Sequence, residues 1–290
     1  AAKSYTDPEQ MIAAERPDLV DIITPPATHK ALISLTAAAG VPTICQKAFC
    51  RSLDEARTAT KIAADAGNLL VVHENFRFSP WYREAKRLIE EGTFGTLYQI
   101  AFRLRPGDGQ GPRAYLDRQP YFQKMERFLI HETAIHFIDT FRFLLGEPTA
   151  VYADLVRLNP SIKGEDAGAI LFDFPGARAF FDGNRLSDHI ADNRRFTMGE
   201  LTIEGSHGSL RLTGDGAMFL RQFGENEEHT HPYSIGEGFA GGAVAALQAH
   251  VLAHLIDGAP LENSAADYLA NLEIEEAVYR SAAQGRKLAL

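Results

Sequence analysis

Several groups of residues carry enough chemistry in their types and spacing to be tested first. His131, Glu132 and His136 fail the spacing of a zinc-protease helix, which needs its histidines four residues apart where these stand five apart. His250 and His254 do stand four apart, but no carboxylate adjoins them. Leu247, Val251 and Leu255 make that stretch an amphipathic helix, so a packed or surface pair is the better reading. Gly236-Glu237-Gly238-Phe239-Ala240-Gly241 fits G-x-G-x-x-G in form. Residues 227–232 before it are polar where a dinucleotide-binding turn needs an apolar strand, so it reads as a flexible approach to the next helix. Arg103, Arg105, Arg113, Arg118, Lys124 and Arg127 form a basic set that could grip a carboxylate or phosphate through paired N–H donors. Asp108, Asp117 and Glu126 interleave with them, so a solvated loop is an equal alternative.

The elements that must position such groups change in texture along the chain. Residues 19–24, 42–45 and 69–73 are short apolar runs, separated by helix-like stretches at 27–40 and 52–67; Ser52 and Glu55 form a capping box for the second. That alternation predicts a parallel sheet covered on both faces. A helix over 80–92, a strand over 97–104, an irregular segment over 106–120 and a helix over 131–145 follow. Strands at 150–158, 167–174, 177–182, 199–204 and 209–212, joined by turns such as Phe174-Pro175-Gly176, predict a mainly antiparallel sheet. Helices near 242–255 and 264–284 close the chain.

Composition narrows the function. Twenty-nine Lys and Arg against 38 Asp and Glu give a net charge of −9, which offers no bulk field for nucleic acid or anionic lipid. No apolar window reaches the length of a membrane helix without charges interrupting it, so no membrane partner is expected. Two cysteines, Cys45 and Cys50, are too few for a disulfide framework or a four-cysteine zinc site, and no metal site is expected. The expectation is a cytoplasmic protein of a reducing compartment acting on a small polar molecule.

The order of motifs is more specific. Thr24-Pro25-Pro26-Ala27-Thr28-His29, Gln46-Lys47-Ala48, Asn75-Phe76-Arg77-Phe78, the run Glu132 to Asp139 and the tail Glu276 to Ala282 resemble the Gfo/Idh/MocA family of nicotinamide-dependent oxidoreductases over nearly the whole chain. The resemblance implies an α/β fold: a Rossmann-like domain over 1–74, then an α+β substrate and oligomerisation domain over 75–290 built on a large, mainly antiparallel open sheet. The last helix is placed to pack back on the first domain. It implies NAD or NADP as cofactor, with Thr24, Pro25, His29, Gln46, Asn75 and Arg77 on the cofactor side, and a homo-oligomer formed through the sheet. Lys47 and His136 become the catalytic pair acting on a substrate hydroxyl, with Glu132 in place of the family's aspartate. Residues 132 and 136 share one face of an α-helix. A neutral imidazole can take the alcohol proton, a carboxylate can orient it, and an ammonium can steady the developing alkoxide. Arg105 and Arg127 are weaker candidates for substrate contact.

The sequence also departs from that family. The opening strand, Gly-rich turn and helix of the usual dinucleotide fold have no counterpart before Asp21. The expectation is therefore an N-terminally truncated Rossmann sheet with impaired cofactor affinity and an exposed strand edge at 19–24. Gln46 replaces the motif's glutamate, and Ala48 replaces its proline, so a trans peptide after Lys47 is expected. The resemblance also leaves room for a non-catalytic cofactor-sensing protein or an NAD-dependent glycosidase. On the broad sheet, Val151, Ala153 and Leu155 are read as the face available to a second copy.

Overall fold

The computed structural model describes residues 3–290; Ala1 and Ala2, at the head of the first predicted domain, lie outside the described residues. Ala1–Glu74 with Leu247–Glu273 cluster into one compact unit, and Asn75–Ala246 with Ile274–Leu290 into a second.

In the first unit, α1 (Pro8–Glu15) starts at Asp7, whose carboxylate accepts the Glu9 N–H at 2.9 Å. Strands β1 (Val20–Ile22), β2 (Thr43–Gln46) and β3 (Leu70–His73) are parallel in the order β1-β2-β3, with Val20 opposite Thr43 and Thr43 opposite Leu70. They are connected by α2 (Pro26–Ala38) and α3 (Leu53–Asp65). Ser52 caps α3 by accepting the Glu55 N–H at 3.2 Å, while Glu55 reaches back to the N–H and guanidinium of Arg51, so the box closes one residue earlier than its usual form. Ile22, Ile44, Cys45, Val71 and Val72 are buried, together with Ile33 and Ala37 of α2 and Ala56, Ala59 and Ala63 of α3. The outer edge of β3 is taken by the segment at 263–264, through Val72 N–H to Asn263 O at 3.0 Å. Among the described residues β1 pairs only with β2, and Ile23 just beyond it is 68% exposed.

The second unit opens with a 3-10 turn (Phe76–Phe78) and α4 (Pro80–Glu90), started by a proline at its first position. Its nine-stranded sheet runs β11-β10-β9-β8-β4-β7-β6-β5-β12, where β4 is Leu97–Leu104, β5 Ala150–Val156, β6 Ala167–Phe174, β7 Ala177–Asn184, β8 Gly199–Gly205, β9 Gly208–Leu212, β10 Met218–Gln222, β11 His229–His231 and β12 Leu288–Ala289. Every pairing is antiparallel except β4 with β7. Gly176 turns β6 into β7 at φ +84°, a conformation that a side chain disfavours. α5 (Ile135–Leu145) lies on the sheet: Phe137 stacks on Phe102 at 3.9 Å and packs against Phe181 at 5.4 Å.

Four expectations are corrected here. The predicted helix over 131–145 is two elements, a π-helix over Leu129–Ala134 leading into α5. Glu165 explains its start: one carboxylate oxygen accepts the N–H groups of Phe128 (3.0 Å) and Ile130 (3.1 Å) and the Tyr279 hydroxyl (2.6 Å). Val151 and Ala153 are not available to a partner; both are buried on the helix-covered side, and the alternate residues Tyr152, Asp154 and Val156 are exposed. The glycine run at 236–241 is exposed over Gly236–Phe239 but ends packed, with Ala240 and Gly241 buried and a Cβ on Gly241 meeting Pro80 at 2.7 Å and Trp81 at 3.0 Å. Lastly, an apolar run free of interrupting charges does exist: Phe239–Asp257 has a mean hydropathy of 1.5. Positive φ at Ala240 and Gly241 breaks it, so only α6 (Ala243–Asp257) is α-helical. Its 15 residues rise about 22 Å against the roughly 30 Å of a bilayer core. α7 (Ala265–Gln284) follows.

Candidate active site

In the first unit the candidate residues sit where β1 and β2 end. Thr24 and Pro25 are exposed, and the Thr24 hydroxyl lies 2.6 Å from that of Thr28 at the start of α2. His29 has no exposed surface; its ring nitrogens lie 2.7 Å from Phe49 O and 2.6 Å from Thr24 O. It thus ties the loop after β1 to the turn after β2, and it reaches a ligand only through those loops. That turn carries Gln46 and Lys47, both half-buried.

The peptide between Lys47 and Ala48 is cis, contrary to the expectation from losing the proline. Its surroundings specify the turn: Phe49 N–H bonds Gln46 O at 3.1 Å, Cys50 N–H bonds Ala48 O at 2.7 Å, and Phe49 (φ +60°) is buried edge-on against Tyr268. The cysteines flanking the turn are free and buried. Burial pushes the Cys50 thiol up to about 12 and raises that of Cys45 as well.

In the second unit Asn75 precedes the 3-10 turn, is 6% exposed, and its amide nitrogen has no hydrogen-bond partner among the described residues. Arg77 clamps Asp139 of α5 with two bonds of 2.7 and 2.6 Å, the carboxylate being only 1% exposed. The clamp fixes the turn to the helix and sets Phe76 flat against the His136 imidazole, 4.0 Å apart with 6° between planes. His136 is therefore held by its ring face as well as its backbone.

Glu132 lies in the π-helix, where the winding differs from 3.6 residues per turn. Glu132 and His136 thus lie on differently wound segments, so four-residue α-helical spacing does not by itself put them on one face. His131 turns away to Glu275, at 2.8 Å.

Of the weaker candidates, Arg105 is buried at the end of β4 and bonds the carboxylate and carbonyl of Asp182. Arg127 pairs with Glu276 and lies over the Tyr279 ring at 4.3 Å. The sequence reading missed a different arginine. Arg185 is buried, bonds Asp108 (3.1 and 2.7 Å) and the Thr133 hydroxyl (2.8 Å), and is ringed by Tyr115, Phe122 and Phe128 at 5.1, 5.6 and 4.8 Å. The aromatic spacing of the 106–128 segment, and Asp108 within it, were the available signals. His250 accepts the Glu262 N–H at 2.9 Å, and His254 lies 2.7 Å from Ala259 O, both securing the loop after α6.

Comparisons with known proteins agree with this architecture. Residues 1–74 match the model of an oxidoreductase family with an NAD-binding Rossmann fold, and residues 82–211 match the GFO/IDH/MocA C-terminal domain. The chain is 33% identical over 295 residues to the D-apiose dehydrogenase of Paraburkholderia graminis, covering 99% of this chain and 76% of that protein. It is 26% identical over 288 residues to the inositol 2-dehydrogenase of Rhizobium meliloti, covering 96% and 82%. Among solved structures, an oxidoreductase from Agrobacterium radiobacter in complex with NAD+, L-tartaric acid and magnesium superposes with a TM-score of 0.86 at 31% identity, over 98% of this chain and 83% of that one. Parallel Rossmann-like strands, the large antiparallel sheet and similarity along 99% of this chain converge on one conclusion: the chain belongs to the GFO/IDH/MocA family and is an NAD(P)-dependent dehydrogenase.

Proposed function

We propose that the reaction is transfer of a hydride between a nicotinamide and a secondary alcohol of a sugar or polyol, with Lys47 and His136 as the groups that handle the substrate hydroxyl. One observation carries the substrate class: similarity to D-apiose dehydrogenase extends through both units rather than stopping at the Rossmann part. Inositol 2-dehydrogenase and the tartaric acid complex point the same way, toward small polyhydroxylated molecules.

The residues present fit the cofactor. Ligands of parallel α/β sheets sit beyond the carboxyl ends of the strands, and Thr24, Pro25 and Gln46 stand at those ends of β1 and β2. Asn75, just past β3, offers a buried amide donor that has no hydrogen-bond partner among the described residues. When bound, the nicotinamide supplies the two-electron acceptor. The chain's own task is the proton and the charge. As the carbinol C–H leaves as hydride, the O–H proton passes to the His136 imidazole and the Lys47 ammonium stabilises the oxygen until the carbonyl forms. Phe76 and the Arg77–Asp139 clamp keep the imidazole aimed, and Glu132 tunes it by charge. Two free thiols suit a reducing, cytoplasmic setting.

Replacing Lys47 by Ala or His136 by Asn is expected to lower kcat by about 10²–10⁴-fold, with thermal unfolding and NADH binding (followed by cofactor fluorescence) little changed. Turnover of polyols within a few-fold of the parent in either variant would overturn the assignment.

We further propose a homo-oligomer through the open face of the nine-stranded sheet. Tyr152, Leu171, Phe180, Ala101 and Thr202 lie in register across β5, β6, β7, β4 and β8 on the side away from α5, none of them fully buried. A mostly apolar row of this kind on a broad sheet is the sort of surface a second sheet covers.

A further inference from the structure

Two departures from regular backbone in the second unit meet at one buried side chain. Leu129–Ala134 is wound as a π-helix, and the Ile135 N–H reaches Ile130 O, five residues back. Tyr115 takes φ +69°, the left-handed region that a bulky side chain rarely enters. The Arg185 guanidinium touches both. Its side chain is 4% exposed, and all three of its nitrogens are engaged. Nε and Nη2 grip the two oxygens of Asp108 at 3.1 and 2.7 Å, and Nη1 donates to the Thr133 hydroxyl of the π-helix at 2.8 Å. The Tyr115 ring lies 5.1 Å from the guanidinium, and its hydroxyl donates to Asp108 at 3.1 Å.

The same residue joins neighbouring segments through its backbone. Gly109 N–H bonds Arg185 O at 2.9 Å, and the Asn159 amide donates to Gly109 O and Gly111 O, so the irregular segment that carries Asp108 is fastened just past β7. Glu165 fixes the start of the π-helix, and Arg185 fixes its end, just ahead of His136 in α5. Windings and dihedrals of this kind persist where the surrounding structure over-determines them, and they gather at functional sites. Relaxation of the π-helix to α winding, at about 100° per residue, would turn Glu132 around the axis of α5 relative to His136.

We propose that Arg185 is a positioning residue for the reaction: by holding Thr133 it sets the end of the π-helix, and with it the stance of Glu132 relative to the His136 imidazole. The proposal rests on the reading of His136 as the group that handles the hydroxyl. Arg185 acts through Thr133 and not on the substrate.

Thr133→Val removes the hydroxyl that Arg185 holds, and Thr133→Ser keeps it. In the full chain carrying isotope-labelled histidine, the His136 ring resonance is assigned by its loss in His136→Asn. At fixed pH it should be displaced in Thr133→Val and in Arg185→Lys, and stay at the parental position in Thr133→Ser. Lysine keeps a point charge for Asp108 but lacks the fork that spans Asp108 and Thr133 together. In NAD+ reduction with myo-inositol, Thr133→Val should lower kcat about tenfold and move KM less than about twofold, with parental values in Thr133→Ser. Combining Arg185→Lys with Thr133→Val should cost no more than about twofold beyond the worse single variant, because both break the same bond. An undisplaced His136 resonance in Thr133→Val, equal loss of kcat in Thr133→Val and Thr133→Ser, or losses that multiply in the double variant would each overturn the proposal. The threonine pair decides even where Arg185→Lys does not fold. Failure of the catalytic reading is separable, because His136→Asn would then keep turnover while the resonance shift in Thr133→Val persists.

Discussion

His29 shows how much a single buried side chain can govern. Its two ring nitrogens bridge the carbonyls of Thr24 and Phe49, so one residue sets the separation of the loop that ends β1 and the turn that holds Lys47. Replacing it with leucine leaves two carbonyls without those partners inside an otherwise filled space. Urea unfolding of His29→Leu is expected to show a loss of about 2–4 kcal/mol. If the loss is confined to the turn's geometry, kcat should fall about tenfold or more while the substrate KM moves less than about twofold. A variant with parental stability and parental kcat would show that the two loops hold their places unaided. The motif containing His29 was legible in the sequence, but its role was not: spacing places a histidine near a strand end without revealing that both nitrogens turn inward.

At the scale of elements, α4 and the far edge of the large sheet are joined through one carboxylate. Glu84 accepts the Arg87 guanidinium at 2.6 Å on its own helix and the His231 ring nitrogen of β11 at 2.5 Å. The Arg87 bonds, with His231 assisting against the opposing effect of burial, lower the Glu84 carboxyl from the usual 4.5 to about 2. A carboxylate depressed on folding adds stability at pH values above its unfolded value, and that contribution is given up as pH falls from about 4.5 toward 2. Glu84→Gln should therefore cost about 1–2 kcal/mol at pH 7, discounted for the exposure of Arg87, and progressively less as pH falls from about 4.5 through about 2. Acid titrations of parent and variant followed by circular dichroism would test this, and parallel curves across that window would contradict it.

Elements with strong local signals were readable in the same way. The spans of β4 and β6, the capped start of α3 and the proline start of α4 follow from alternation, capping residues and proline placement. The three-residue β11 and two-residue β12 carry too little pattern to be seen, and the π-helix depends on Glu165, which lies 37 and 35 residues after the two N–H groups it accepts. Similarly, the alternation of β5 was plain, but which of its two faces met the helices was not, because Val151 and Tyr152 are both apolar enough to be buried. Motif order singled out Lys47 and His136 as candidates, whereas Arg185 and its aromatic cage needed the chain folded to become visible.

At the scale of the whole molecule, the open sheet face should determine assembly. Phe180 sits in the middle of the row from Tyr152 to Thr202, opposite Leu171 on β6 and Ala101 on β4. Phe180→Asp should shift light-scattering mass toward the single chain, because a charge buried at such a contact without a partner costs several kcal/mol. An unchanged mass would place the contact elsewhere.

The two compact units also differ in the probes they contain. Every thiol in the chain, Cys45 and Cys50, belongs to the first unit, and the sole indole belongs to the second. Both thiols are shielded and strongly disfavour the thiolate, so an alkylating dye gains entry only when the backbone around Lys47 lets go. One sample can thus keep two clocks: labelling times the opening of the nucleotide-side unit while emission times the other, and any lag between them dates the order in which the halves come apart.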